Sequence, residues 1–129
     1  MATVIARHLY ERILAHVAAE PEREVCGLLF GGGGRIVAVE PSANVAPNPA
    51  DSFEVDPRAL FAALRTERAG GAPLIGHYHS HPNGRAEPSP RDAAAAEPGR
   101  LWLIVARGTA RAWFAEPGGL FTAQALDIV

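Results

Sequence analysis

His79-Ser80-His81 places two imidazoles two residues apart at the carboxyl end of an apolar run, Pro73-Leu-Ile-Gly-His-Tyr-His79. In an extended chain positions i and i+2 point the same way, so both rings can converge on one ion. A His-x-His pair at a strand end also arises in proteins that bind no metal. Asp92 follows in the first turn of a short helical stretch, Ser89-Pro-Arg-Asp-Ala-Ala-Ala-Ala96, after a Pro/Gly-rich loop from Pro82 to Pro88. A loop of that length can fold the helix start back over the strand end. Two His nitrogens, one Asp oxygen and an open fourth position then form a plausible catalytic zinc shell. Ser89 and Asp92, with Pro90 between them, read equally well as a capping box whose purpose is only to start a helix. Those four residues alone leave cap and ligand both open. A hydrolytic site also needs a base. Glu24, just ahead of Val-Cys-Gly-Leu-Leu-Phe30, is the best-placed carboxylate, because partial desolvation raises a Glu pKa toward the range useful for proton transfer. Its ordinary reading is a solvated Glu in the stretch Glu20-Pro-Glu-Arg-Glu24, and Glu54, Asp56 and Glu87 are candidates on similar grounds.

These residues need elements to position them. From Ala6 to Ala19, Leu9, Ile13, Leu14 and Val17 recur at helical spacing until Pro21. Glu24 to Phe30 reads as a strand, Gly31 to Gly34 as a turn, and Arg35 to Glu40 as the returning strand. No lysine and Ser/Thr follow those glycines, so they are not a phosphate cradle. An irregular stretch from Pro41 ends in a short alternating strand, Ser52-Phe-Glu-Val55. Asp56-Pro57 then caps a helix predicted to run to about Ala69, with Leu60, Phe61 and Leu64 inward and Gly70-Gly71 ending it. Pro73 to His79 is a central strand, and Leu101 to Ala106 is apolar throughout, as suits a strand covered on both faces. Ala110 to Ala115 follows as a strand, and Leu120 to Val129 as a strand or short helix. The fold class is α/β, a mixed central sheet with helices on both sides.

The whole sequence narrows the function further. With 129 residues and no linker at which to divide it, the chain reads as one domain over 1–129. It carries 12 basic residues against 14 acidic ones for a formal charge of -2, and the arginines are scattered, so nucleic acid and anionic membrane are poor partners. No apolar stretch approaches a bilayer span, and the amino end reaches a charge every few residues, which predicts a cytoplasmic protein. The lone Cys26 can form no internal disulfide and excludes a zinc site of several thiolates.

The stretch Gly76-His-Tyr-His79-Ser-His81-Pro-Asn-Gly-Arg-Ala-Glu-Pro-Ser89-Pro-Arg-Asp92 resembles the JAMM signature of the MPN-plus metalloproteases: His-x-His-Pro, a spacer, then Ser-x-x-Asp. Seven residues separate His81 from Ser89, as that signature requires. Upstream, Glu24-Val-Cys-Gly-Leu-Leu29 is similar to the segment carrying the family's distant glutamate. Asn44-Val-Ala-Pro-Asn48-Pro-Ala-Asp-Ser-Phe53-Glu-Val-Asp56-Pro57 is similar to the loop and helix start of the compact prokaryotic members. The resemblance implies the MPN, cytidine-deaminase-like fold. It implies that His79, His81 and Asp92 ligate Zn2+ while a water fills the fourth site. Glu24 would take the proton from that water and deliver it to the leaving amine, and Ser89 would donate to the oxygen that becomes negative.

Where the family often has a bulky apolar or aromatic residue the chain has His77, expected to pack or hydrogen-bond beside the site. Cys26 is expected to pack, and Phe53 could line a substrate channel. The implied reaction is hydrolysis of an amide or isopeptide bond at the C-terminal glycine tail of a ubiquitin-like sulfur carrier protein. A peptidase or amidase on another small substrate and a non-catalytic MPN scaffold are the alternatives. A zinc nucleoside deaminase would need His-x-Glu and Pro-Cys-x-x-Cys, which are absent.

Overall fold

Leu101–Ala106 is buried at every position, as a strand covered on both faces requires. The computed structural model describes residues 2–129. In chain order the elements are β1 (Ala2–Ile5), α1 (Arg7–Ala18), β2 (Cys26–Gly32), β3 (Arg35–Ser42), α2 (Pro57–Arg68), β4 (Leu74–Ser80), α3 (Pro90–Ala95), β5 (Leu101–Ala106), β6 (Thr109–Glu116) and β7 (Leu120–Ile128). The strands lie in the order β1-β3-β2-β4-β5-β6-β7. β4 and β5 run parallel, and β2 is antiparallel to both β3 and β4.

Alternation along the strands divides the interior. Leu29, Tyr78, Leu101, Leu103 and Val105 pack with Leu9, Tyr10 and Ile13 of α1. From the other face Leu28 and Leu74 pack with Ala63 of α2, while Trp102 and Ile104 pack with Phe53 and Ala96. Helices therefore cover both sides of a mixed sheet, as expected. Gly27 is needed on the α1 side, where a Cβ would overlap the Tyr78 ring. The Tyr78 hydroxyl lies 2.6 Å from His16 Nδ1 and ties β4 to α1.

Four features differ from the sequence reading. The chain opens with a strand, β1, four residues being too few to show a period. β1 pairs in parallel with β7 from Ala2↔Ala125 to Ile5↔Ile128, and the sheet closes into a barrel. Ser52 to Val55 is not a strand, since only the bridge Asn44↔Val55 forms. On α2, Leu60 and Phe61 are exposed while Ala59, Ala63 and Leu64 face the sheet. The helix is turned so that its small residues approach β2 and β4, which a pattern of large apolar residues does not reveal. Among the described residues no helix is long and apolar enough to cross a membrane.

Candidate active site

The ladder of β4 continues past its last assigned residue. Ser80 N–H donates to Val25 O at 3.0 Å and His81 N–H to Val105 O at 2.9 Å, so the backbone carrying both histidines is held from two neighbouring strands. Val25 N–H donates in turn to Ser80 Oγ at 2.9 Å. His79 is wholly buried and His81 nearly so. Their Nε2 atoms are 3.1 Å apart. Asp92 Oδ2 lies 3.3 Å from the first and 3.1 Å from the second.

Asp92 reaches this point because α3 starts where it does. Ser89 Oγ accepts the Asp92 N–H at 3.0 Å, and Asp92 Oδ2 accepts the Ser89 N–H at 2.9 Å, a complete capping box with Pro90 at the first helical position. One oxygen thus both caps α3 and faces the two imidazoles, so the cap does not compete with a ligand role. Burial alone would raise the Asp92 carboxyl, but the contacts with His79, His81 and the Ser89 amide outweigh it and hold the group far below the usual carboxylate range. Burial lowers His79. It also works to lower His81, but there Asp92 and the Arg85 carbonyl prevail and the pKa rises.

Glu24 stands just before β2, where its N–H donates to Pro49 O at 2.7 Å instead of joining the ladder. It is 6% exposed, and its Oε1 has no hydrogen-bond partner. Burial first of all, partly offset by His81, raises its pKa from 4.5 to about 7. This is not a solvated loop carboxylate. Ligand atoms of Glu24, His79 and His81 lie within 4.8 Å of one another, so two overlapping donor sets share the imidazoles. Asp92 completes one and Glu24 the other. Of the two acids, Asp92 makes the close contacts to both rings.

A family profile described as prokaryotic homologs of the JAB domain matches residues 6–116. The chain belongs to this family. A protein of Haloferax volcanii named Desampylase is 34% identical over 84% of this chain and 86% of its own. A Thermus thermophilus protein named as a probable TtuB-protein conjugate cleaving protease is 40% identical over 71% of this chain and 62% of its own length. Among solved structures, a solution structure of a protein from Desulfitobacterium hafniense covers 100% of this chain and 93% of that one, with a TM-score of 0.82 at 27% identity. A JAB1/MPN domain protein from Archaeoglobus fulgidus, at 18% identity and a TM-score of 0.61 over 96% of this chain and 95% of that one, shares the fold. The resemblance read from residues 24 to 92 is thereby borne out, and the protein is a JAMM-type enzyme.

Two further residues shape this JAB site. Phe53 stacks on His79, with ring centroids 4.2 Å apart and planes 18° from parallel. It borders a groove of about 260 Å³ that also involves Leu60, His77, Arg91, Asp92 and Trp102. His77 lies between Phe53 and Trp102, its Nε2 3.2 Å from His79 Nδ1, and burial pushes its pKa well below the ordinary imidazole value. Asn44 was given no role by the sequence reading. Its Nδ2 donates to Glu24 O at 2.7 Å and Ser52 O at 3.0 Å, while its Oδ1 accepts from Ala46 N and Glu54 N, each at 3.0 Å. One amide thus joins the backbone of Glu24 to both neighbours of Phe53. The only local signal is an asparagine opening a proline-rich loop, which predicts a turn and nothing more. Cys26 is buried against loop carbonyls, and burial pushes its thiol up to about 12, as expected of a packed cysteine.

Proposed function

We propose that this protein, acting as one domain over residues 1–129, hydrolyses an amide or isopeptide bond at the C-terminal glycine tail of a ubiquitin-like sulfur carrier protein. In this reading zinc is held by His79, His81 and Asp92. The observation that carries it is the meeting of three buried acceptor atoms beside a buried carboxylate oxygen that has no partner.

The donor set suits the ion. His81 Nδ1 lies 2.7 Å from Arg85 O, which can only accept, so a ring proton belongs there and, when the ring is neutral, its Nε2 lone pair faces inward. A second lone pair and an anionic oxygen 3.1 to 3.3 Å away repel it unless a cation or proton lies among them. Two ligand atoms each about 2.0 Å from a tetrahedral ion are themselves roughly 3.3 Å apart. All three donors are nitrogen or oxygen, and the single thiol, Cys26, is kept protonated by burial.

When bound, zinc polarises the scissile carbonyl and brings the pKa of water toward neutrality. Glu24 supplies the proton transfers. Its carboxylate, poised by burial near pH 7, accepts a proton from the attacking water and returns it to the leaving amine. Ser89 Oγ accepts the Asp92 N–H, which leaves its own proton to donate to the oxygen that becomes negative. Phe53 covers His79 and keeps water from that ring. The names of the relatives, Desampylase and TtuB-protein conjugate cleaving protease, support a substrate of the ubiquitin-like class.

The test is metal analysis and hydrolysis of a ubiquitin-like tail joined to lysine, for the parent and Glu24→Gln. The expected result is about one zinc per chain in both proteins, with hydrolysis reduced at least ~10³-fold in the variant alone. Loss of zinc in Glu24→Gln would instead make Glu24 a ligand. Undiminished hydrolysis would remove it from the reaction.

A further inference from the structure

We propose that His77 is the positioning residue that orients His79 toward the cation: His77 Nε2 accepts the His79 Nδ1 proton and leaves the His79 Nε2 lone pair facing His81 and Asp92. This rests on the zinc reading above. A metal-bound imidazole ordinarily donates its other ring N–H to an acceptor, which fixes both tautomer and ring plane. For His81 that acceptor is the Arg85 carbonyl, at 2.7 Å. His79 is 0% exposed, so no bulk water reaches its Nδ1, and among the described residues the hydrogen-bond partner of that nitrogen is His77 Nε2, at 3.2 Å.

The His77 ring is itself fixed. Trp102 meets it edge-on at 4.4 Å between centroids and Phe53 lies 4.9 Å away, so the acceptor keeps its aim. The opposite proton arrangement would place a hydrogen on His79 Nε2, between His81 and Asp92, where it competes with the ion. A Phe or Leu at this position fills the same space and accepts nothing.

Zinc affinity of the metal-free protein, measured by competition with a chelating dye, tests the assignment in the parent, His77→Phe and His77→Gln. His77→Phe is expected to weaken zinc binding about 10- to 100-fold. His77→Gln, whose side-chain carbonyl can accept the same proton, is expected to stay within about 5-fold of the parent, since one hydrogen bond replaces another. Packing alone predicts the reverse order, because Phe preserves the ring between Phe53 and Trp102 and Gln does not. Parent-like affinity in His77→Phe, or weaker binding in His77→Gln than in His77→Phe, overturns the proposal. If the Phe variant fails to fold, a loss well beyond 5-fold in His77→Gln does the same. A parent that takes up no zinc brings down the metal reading as well, whereas a zinc-binding parent with an equally tight His77→Phe brings down this inference alone.

Discussion

Glu24 is more comfortable protonated than ionised in the metal-free chain, because burial removes the water that would solvate its charge and its Oε1 has no substitute partner. Its pKa when folded, about 7, lies above the ordinary 4.5, so its contribution to stability is present in full below 4.5 and is lost as pH rises through 7. Glutamine keeps the neutral shape at every pH. Metal-free Glu24→Gln should therefore melt higher than the parent at pH 8, by on the order of 5 °C, with the gap shrinking toward pH 5. Thermal unfolding in the presence of a chelator at both pH values checks this, and a gap that widens toward acid would contradict the burial argument. Such an instability fits a group held ready for proton transfer.

At the scale of elements, the site depends on two segments that could not stand alone. α3 has six residues, too few for independent stability, and owes its position to the capping box and Pro90. The cap fixes the residue that faces the histidines, so starting the helix and building the site are one event. The stretch from Asn44 to Val55 has no regular structure beyond a single bridge, and the four hydrogen bonds of the Asn44 amide tie its two ends together and to Glu24. Asn44→Ala should cost about 2 kcal/mol, since four backbone groups lose a hydrogen bond, among them the carbonyl of the buried Glu24. It should also lower kcat more than it raises KM, with zinc retained, because Glu24 and Phe53 lose their shared anchor while the ligands keep theirs. Calorimetry, metal analysis and steady-state kinetics on the variant separate these effects.

Over the whole molecule, both faces of the sheet are used and its ends are joined. The α1 side is an aliphatic and tyrosine core, whereas the opposite face carries His77, His79 and Trp102 beneath α3 and the Phe53 loop. Closure through β1 and β7 is fastened by Val129 N–H to Ile5 O at 3.0 Å, Arg7 N–H to Val129 O at 2.8 Å, and Thr3 Oγ1 to Gln124 Oε1 at 2.8 Å. Removing residues 126–129 should expose Ile5, which is 0% accessible, and lower the melting temperature by on the order of 10 °C. His79, His81 and Asp92 lie at the end of β4 and on α3, away from this seam, so zinc affinity measured below the transition should change little. A parallel loss of affinity would mean that closure reaches the site.

The sequence by itself determined the family and the candidate residues. His79, His81, Ser89, Asp92 and Glu24 stand out through the resemblance to the JAMM signature, while the capping box and the i, i+2 strand rule are legible because they act over a few residues. The order of most elements was legible for the same reason, local periodicity. Tertiary structure decided what depends on partners distant in the chain. Val25 and Val105 hold the histidine backbone, Asn44 reaches back twenty residues to Glu24, α2 turns its alanines inward, and β1 finds β7. It alone buried the Glu24 carboxylate, since the flanking Glu20-Pro-Glu-Arg reads as solvated loop. Burial is the sum of contacts from every element that closes over a residue, and no stretch of neighbouring amino acids contains that sum.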